Sequence, residues 1–332
     1  MIAQLDKDYL TTRPGKAWPR LVSHFLFQGR FATTSYRWLN RLILPCLKLL
    51  AALPAGRQVR DPIFVIGTGR SGSTILGKVL SMHRALGFLN EPKALWYTVD
   101  PADDLHHHFG AEPARYRWTE SQATQTVARR AHRLYHSYLT LSLSRRVLEK
   151  NPDMTFRVHC LRRLFPDARF LFLVRDGEQT VASINHWSRR NRRQTQAVED
   201  WWGVDNYKWQ LLLHEILPSE PLLAHLQAEL QQEQAEINKA AVEWIVTVQE
   251  GLRLLHEFPE QVMLLPYEKL VQSPAETLAA ICGFCALAKD QTFLTYGQQA
   301  LQNNRLYPAV ELADYLQPAF RETVKNLEDI QQ

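Results

Sequence analysis

Four cysteines in 332 residues, at positions 46, 160, 282 and 285, are too few and too scattered for a disulfide framework, so the composition fits a reducing compartment. Long apolar runs are also missing. The longest, "LILPCLKLLAAL" (Leu42 to Leu53), contains Pro45 and Lys48 and is too short to span a bilayer. The opening "MIAQLDKDYL" lacks the apolar core of a secretory leader and carries two aspartates. Internal repeats and low-complexity tracts are absent as well. What remains is an ordinary globular composition, 45% hydrophobic and 22% charged, long enough for one large α/β domain with insertions or two smaller ones. Such a chain is expected in the cytoplasm.

Acidic residues are scarce at one end. Residues 1–60 hold ten Lys and Arg against only Asp6 and Asp8, a net charge of about +8, which leaves about −3 for the rest of the chain. A basic arm of this kind suits an anionic membrane or an acidic acceptor, and equally a solvated surface. The expected division is therefore a basic helical segment over 1–60, packed on the domain or peripheral to a membrane. A single domain over 61–332 would follow.

Short β-branched or aromatic runs predict strands at 63–66, 85–89, 146–149, 169–174 and 262–265. Helical periodicity predicts helices at 73–82, 121–143, 155–164, 178–186, 237–257 and 274–285. Strands alternating with helices imply an α/β fold in three P-loop-like layers. Its central, mostly parallel sheet of about five strands would carry helices on both faces. Ligands of such sheets bind beyond the carboxyl ends of the strands. Residues 188–236 break the rhythm and read as an inserted lid or acceptor-binding region.

"FVIGTGRSGSTILGKVL" (64–80) lacks one thing that a nucleotide-binding loop needs. Gly67 and Gly72 stand where a Walker A motif has its two glycines, but Ser73 replaces the lysine, and Arg70 sits inside the loop. Gly67, Gly69 and Gly72 permit a tight turn, and the helix start offers free N–H groups with the positive end of its dipole. Ser71, Ser73 and Thr74 add hydroxyls, and Arg70 can fork onto two anionic oxygens. Phosphoryl transfer couples the Walker lysine to magnesium. Without that lysine, a less charged group such as sulfuryl fits arginine, lysine and backbone donors.

The loop "GTGRSGSTILGKVL" resembles the 5′-phosphosulfate loop of sulfotransferases that use 3′-phosphoadenosine 5′-phosphosulfate (PAPS). "FPDARFLFLVRDGEQTVASINHW" (165–187) resembles that family's 3′-phosphate motif, in which Arg175 ends a strand and Ser183 rides the next helix. The resemblance covers about 62–287. It implies cofactor contacts from Gly67, Thr68, Gly69, Arg70, Ser71, Gly72, Ser73 and Thr74, from Arg175 and Ser183, and from Tyr267 near the adenosine or its 3′-phosphate. Glu91, in "LGFLNEPKALW", matches the proposed catalytic base of tyrosylprotein sulfotransferases and their bacterial relatives. Lys150, in "VLEKNPDM", matches a Lys-Asp-Pro segment that stabilises the departing nucleotide, with Asn151 in place of the aspartate. Arg70 would help to hold the developing charge. The implied reaction moves a sulfuryl group from PAPS to an acceptor hydroxyl, leaves PAP, and requires no metal.

Taken alone, Glu91 is also a helix-start carboxylate, Arg175 a strand-end ion pair and Ser183 a packing residue. The family's His-Pro after the loop helix is His83-Arg84, and Arg305 is the candidate for its C-terminal basic loop. "LHHHFG" (105–110) reads as a solvent loop, Cys282 and Cys285 as a core contact, and "SRRNRR" (188–193) as solvated cations apart from one that assists the 3′-phosphate. Nucleic acid is not expected. Trp201, Trp202, Tyr207 and Trp209 divide evenly between a stacking wall and packing under the lid. A P-loop phosphotransferase and a non-catalytic membrane-binding protein are the alternatives. The acceptor and the oligomeric state are not readable from these residues.

Overall fold

Every strand that the β-branched runs predict forms within a residue of its expected bounds. A computed structural model describes residues 4–29, 37–54, 56, 58–110, 113–195, 199–301 and 306–331. Five strands make the main sheet: β1 (Ile63–Gly67), β2 (Leu86–Asn90), β3 (Arg146–Lys150), β4 (Arg169–Val174) and β7 (Val262–Pro266). Their order is β2-β3-β1-β4-β7, and every pairing is parallel. Two-residue strands β5 (Glu199–Asp200) and β6 (Gly203–Val204) form a separate antiparallel pair.

Alternate side chains of each strand enter two cores. Phe64, Ile66, Phe170 and Phe172 pack on one face, and Ile63, Val65, Leu171 and Leu173 on the other. Helices Gln125–Ser142, Val158–Leu164, Gly177–Thr195 and Glu236–Glu257 contribute to the first face, and helices Ser73–Ser81, Pro274–Phe284 and Gln291–Ala300 to the second. Both faces are covered, as a parallel sheet requires.

The departures from the expected helices have local causes. The helix expected from 121 starts at Gln125, because Thr124 accepts a hydrogen bond from Val127 N and caps it; Thr119 and Gln122 close a capping box on the short turn before. The helix expected over 155–164 begins at Val158, preceded by a 3-10 turn from Pro152 to Arg157. The 177–195 helix runs well past its expected end at 186. Helix Lys93–Val99 and the C-terminal helix Gln317–Gln331 were not expected from periodicity.

The basic N-terminal segment is stitched onto the domain by cations that reach backbone. Arg13 forks onto Asp290 at 2.7 Å and also bonds Met82 O at 2.6 Å. Lys16 donates to Leu86 O (2.6 Å), and Arg20 to Phe88 O (2.9 Å) while lying over the Phe88 ring. Helix Asn40–Ala52 buries Ile43, Leu47 and Ala51. No helix among the described residues is long and apolar enough to cross a membrane.

Candidate active site

The carboxyl ends of four adjacent strands converge on one cavity of about 690 Å³. β1 runs into the glycine loop, whose backbone takes conformations that exclude a side chain. Gly67 has φ +125°, and a Cβ there would lie 2.2 Å from Leu173 O; Gly72 has φ +89°, and its Cβ would meet the Tyr267 ring at 2.3 Å. Leu76 N makes the first intrahelical bond, to Gly72 O at 3.1 Å, so the N–H groups of Ser73 to Ile75 have no intrahelical acceptor. Gly69, Arg70, Gly72, Ser73 and Thr74 line the cavity. Gly67, Thr68 and Ser71 stand behind them: Gly67 N donates to Thr155 Oγ1 (2.9 Å), and Ser71 Oγ is buried without a partner.

At the end of β4, Arg175 is buried and lines the same cavity, its guanidinium 5.1 Å from the centroid of the Tyr267 ring. Tyr267 thus supports both Gly72 and Arg175 from beneath rather than lining the cavity. Asp176 caps the following helix through Gln179 N (2.9 Å), which places Ser183 two turns in. Ser183 Oγ accepts from Arg70 Nε at 3.3 Å and bonds Tyr307 at 3.3 Å. The loop arginine therefore reaches the residue that the second motif supplies, and the two anion-binding elements share one wall.

β2 and β3 bring Glu91 and Lys150 together. Asn90 pairs with Lys150 in register, Glu91 N donates to Lys150 O (2.8 Å), and the Lys150 amine forms an ion pair with the Glu91 carboxylate. Glu91 has φ +48°, a left-handed conformation at a residue before proline, where extended backbone is the general preference. Strain at a cavity-lining carboxylate marks a position that its surroundings over-determine. Burial alone would raise its pKa, but the charges of Lys150 and Lys93 outweigh burial and hold the carboxyl below its usual range.

The opposite wall comes from the irregular stretch. Trp201 lies over the loop, so that a Cβ on Gly69 would sit 2.4 Å from its ring. Its indole N–H donates to Glu243, which pairs with Lys208 (2.6 Å). Lys208 also pairs with Asp153 (3.2 Å), and Asp153 with Lys93. Burial would raise the pKa of Asp153, yet Lys208, Lys93 and His106 hold it well below its usual range. The four tryptophan-region aromatics divide by position. Trp202 and Trp209 are core, in edge-to-face contact at 5.5 Å; Trp201 faces the cavity; Tyr207 donates nothing to it and accepts from Ala114 N (3.1 Å).

One reading needs correction. The "LHHHFG" loop is not simply solvated: His106 and His108 are half-buried cavity residues with rings stacked at 5.3 Å. Sequence reasoning also passed over Lys93, Asp153 and Glu243. The one available signal was Asp153, which stands two residues after the Asn151 where a carboxylate was sought. Cys285 is buried and Cys282 half-buried, both against the second core. Arg305 and the side chains of Arg192 and Arg193 lie outside the described residues.

Among known proteins, the model of the sulfotransferase family matches residues 62–221. The omega-hydroxy-beta-dihydromenaquinone-9 sulfotransferases Stf3 of Mycobacterium bovis and Mycobacterium tuberculosis are each 25% identical over 51% of this chain and 58% of their own length. The match thus spans little more than half of those relatives. Similar solved structures include sulfotransferase STF9 from Mycobacterium avium (13% identity, 94% of this chain and 86% of that one, TM-score 0.48). Another is the sulfotransferase domain of the Synechococcus PCC 7002 olefin synthase (16% identity, 83% and 97%, TM-score 0.47).

Proposed function

We propose that the chain, whose residues 62–221 match the sulfotransferase family, transfers a sulfuryl group from PAPS to the hydroxyl of an acceptor. The observation that carries this reading is the single cavity shared by the glycine loop, Arg70, Arg175, Ser183, Glu91 and Lys150. The residues suit such a donor. Ser71 Oγ is a buried hydroxyl without a partner, and the N–H groups of Ser73 to Ile75 have no intrahelical acceptor. Arg175, Ser183 and Arg70 would hold the 3′-phosphate, with Tyr267 bracing the first. Residues 69 and 72–74 would hold the phosphosulfate end. The contact of Arg70 with Ser183 favours the phosphate end for Arg70 over a role at the reacting sulfur.

When bound, PAPS supplies the sulfuryl group, whose bond to phosphate oxygen breaks as the acceptor oxygen bonds to sulfur. Glu91, ionised at neutral pH, accepts the proton of the attacking hydroxyl. Lys150, beside it, offsets charge gathering on the leaving oxygen. The acceptor enters between Glu91 and the wall of Trp201, His106 and Lys208. The Stf3 relatives are named for a hydroxylated menaquinone, and a lipid hydroxyl is one acceptor this wall admits, beside a glycan or a small alcohol. A P-loop phosphotransferase fits less well, since Ser73 starts the loop helix and the cavity's Lys78 is paired with Asp6.

The test is calorimetric and isotopic. PAP should bind at least about a hundredfold tighter than ADP, with that preference lost in Arg175→Ala. Glu91→Gln should keep PAP affinity and lower sulfate transfer from labelled PAPS by about 10²–10⁴-fold. Equal affinity for PAP and ADP, or unchanged turnover in Glu91→Gln, removes the assignment.

A further inference from the structure

The large apolar side chains left in water are not scattered evenly. Among the described residues, Leu10, Trp18, Phe25, Trp38, Leu42, Leu49 and Leu53 are exposed within the first 53 positions. Trp18, Trp38, Leu42 and Leu49 each leave more than half of their surface in water. Two further exposed leucines join them: Trp18 Nε1 donates to Leu141 O (2.8 Å), and Leu143, two residues on, is 85% exposed.

The arrangement has a period. Helix 40–52 turns Ile43, Leu47 and Ala51 into the core while Leu42, Pro45, Cys46 and Leu49 point outward at intervals of three and four. Its outer face is therefore apolar too, with Arg41 and Lys48 exposed beside it. Trp18 and Phe25, seven residues apart in consecutive helical segments, repeat the pattern on the neighbouring element. A monomer rarely exposes apolar surface in one contiguous region without a partner for it.

We infer that this face docks on an anionic lipid bilayer. Charge selects that occupant. Of the ten cations in the first 60 residues, Arg13, Lys16 and Arg20 are tied to the domain, while Lys7, Arg41, Lys48 and Arg60 are exposed; among the acids Asp6 is paired with Lys78, which leaves Asp8 exposed. Tryptophans with outward leucines beside arginine and lysine form an interfacial helix surface, and anionic headgroups complement the charge. The same segment reaches the cavity through Gln4 and Asp6, so a docked face and the acceptor entrance belong to one structural unit.

The experiment is co-sedimentation of the full chain with vesicles of phosphatidylcholine alone or mixed equally with phosphatidylglycerol. Wild-type protein should bind the mixed vesicles, release at high salt and ignore the neutral ones. The triple variant Trp18→Glu, Leu42→Glu, Leu49→Glu should bind at least about a hundredfold more weakly, since each lost apolar insertion weakens partitioning by about tenfold or more. Its thermal midpoint should match wild type because all three side chains are exposed. Should that variant unfold, Arg41→Glu with Lys48→Glu must still weaken binding to the mixed vesicles. The inference fails if wild type ignores mixed vesicles, binds both kinds equally, or instead self-associates through a contact that the triple variant abolishes. None of these readouts depends on the donor or on turnover.

Discussion

The two walls of the cavity are built by opposite means. On one side, the ends of β1–β4 deliver Gly72, Lys150, Glu91 and Arg175 through register and a tight turn, so neighbouring backbone fixes each side chain. On the other, Lys93, Asp153, Lys208 and Glu243, from four separate segments, are held by charge alone in a buried relay that ends on Trp201. A wall set by backbone tolerates loss of a charge. A wall set by charge does not.

The largest expected effect follows directly. Lys208→Met leaves Glu243 and half of Asp153 without their shared cation inside the protein, which should destabilise the fold by about 3–5 kcal/mol. Lys150→Met removes an equally buried cation, but its partner Glu91 is about a third exposed and can be solvated, so the stability cost should be about 1 kcal/mol or less. Urea melts of both variants give the comparison. Equal losses would mean that the two walls do not differ in kind.

That contrast also explains what could be read in advance. All five strands of the sheet, the loop and the Arg175–Ser183 spacing are local patterns: an apolar run, glycines, a strand end followed by a helix. Glu91 and Lys150 were placeable because each directly follows or ends a strand. The relay was not, because a lysine at 93, an aspartate at 153 and a glutamate at 243 carry no periodicity that ties them together. His106 and His108 were misread for the same reason. A loop of histidines is polar in sequence, and only tertiary packing beside Asp153 puts it on the cavity. The exposed leucines of 40–52 were legible as an apolar run, but not as two faces.

The backbone-built wall contains one buried charge that sharpens the comparison. Glu149 alternates with Lys150 on β3, so it points into the core, where it accepts from Trp96 Nε1 at 2.8 Å and from the Tyr135 hydroxyl. Burial pushes its pKa up to about 7, against the lowering pull of these donors. Between its ordinary value and about 7 the native state holds a proton that the unfolded chain has released. This group's contribution to stability therefore falls as pH rises through that window and is flat above it. Asp103, pushed up to about 6 by burial, acts in the same sense, whereas the lowered pKa values of His83, His106 and His132 act in the opposite one. The readout is accordingly the difference between wild type and Glu149→Gln. The variant should gain about 1–3 kcal/mol relative to wild type on going from pH 5 to pH 8. A constant difference across that range would place the buried charge elsewhere.

A last comparison probes the seam where the walls touch. Gly69 has no positive φ, so alanine suits its backbone, and the only obstacle is Trp201, whose ring tip would lie 2.4 Å from the new Cβ. Trp201 cannot swing aside freely while its N–H is held by Glu243. Gly69→Ala should therefore destabilise by about 1–3 kcal/mol, as overpacking does. Trp201→Phe shortens the ring and should recover most of that loss, giving a favourable coupling in a double-mutant cycle of denaturant melts. At Gly67 the same cycle has nothing to recover, because the new Cβ would meet Leu173 O and the φ of +125° would remain. Rescue at 69 therefore separates a contact between side chains from one imposed by backbone; if Trp201→Phe leaves Gly69→Ala as unstable as before, the indole is not what presses on the loop.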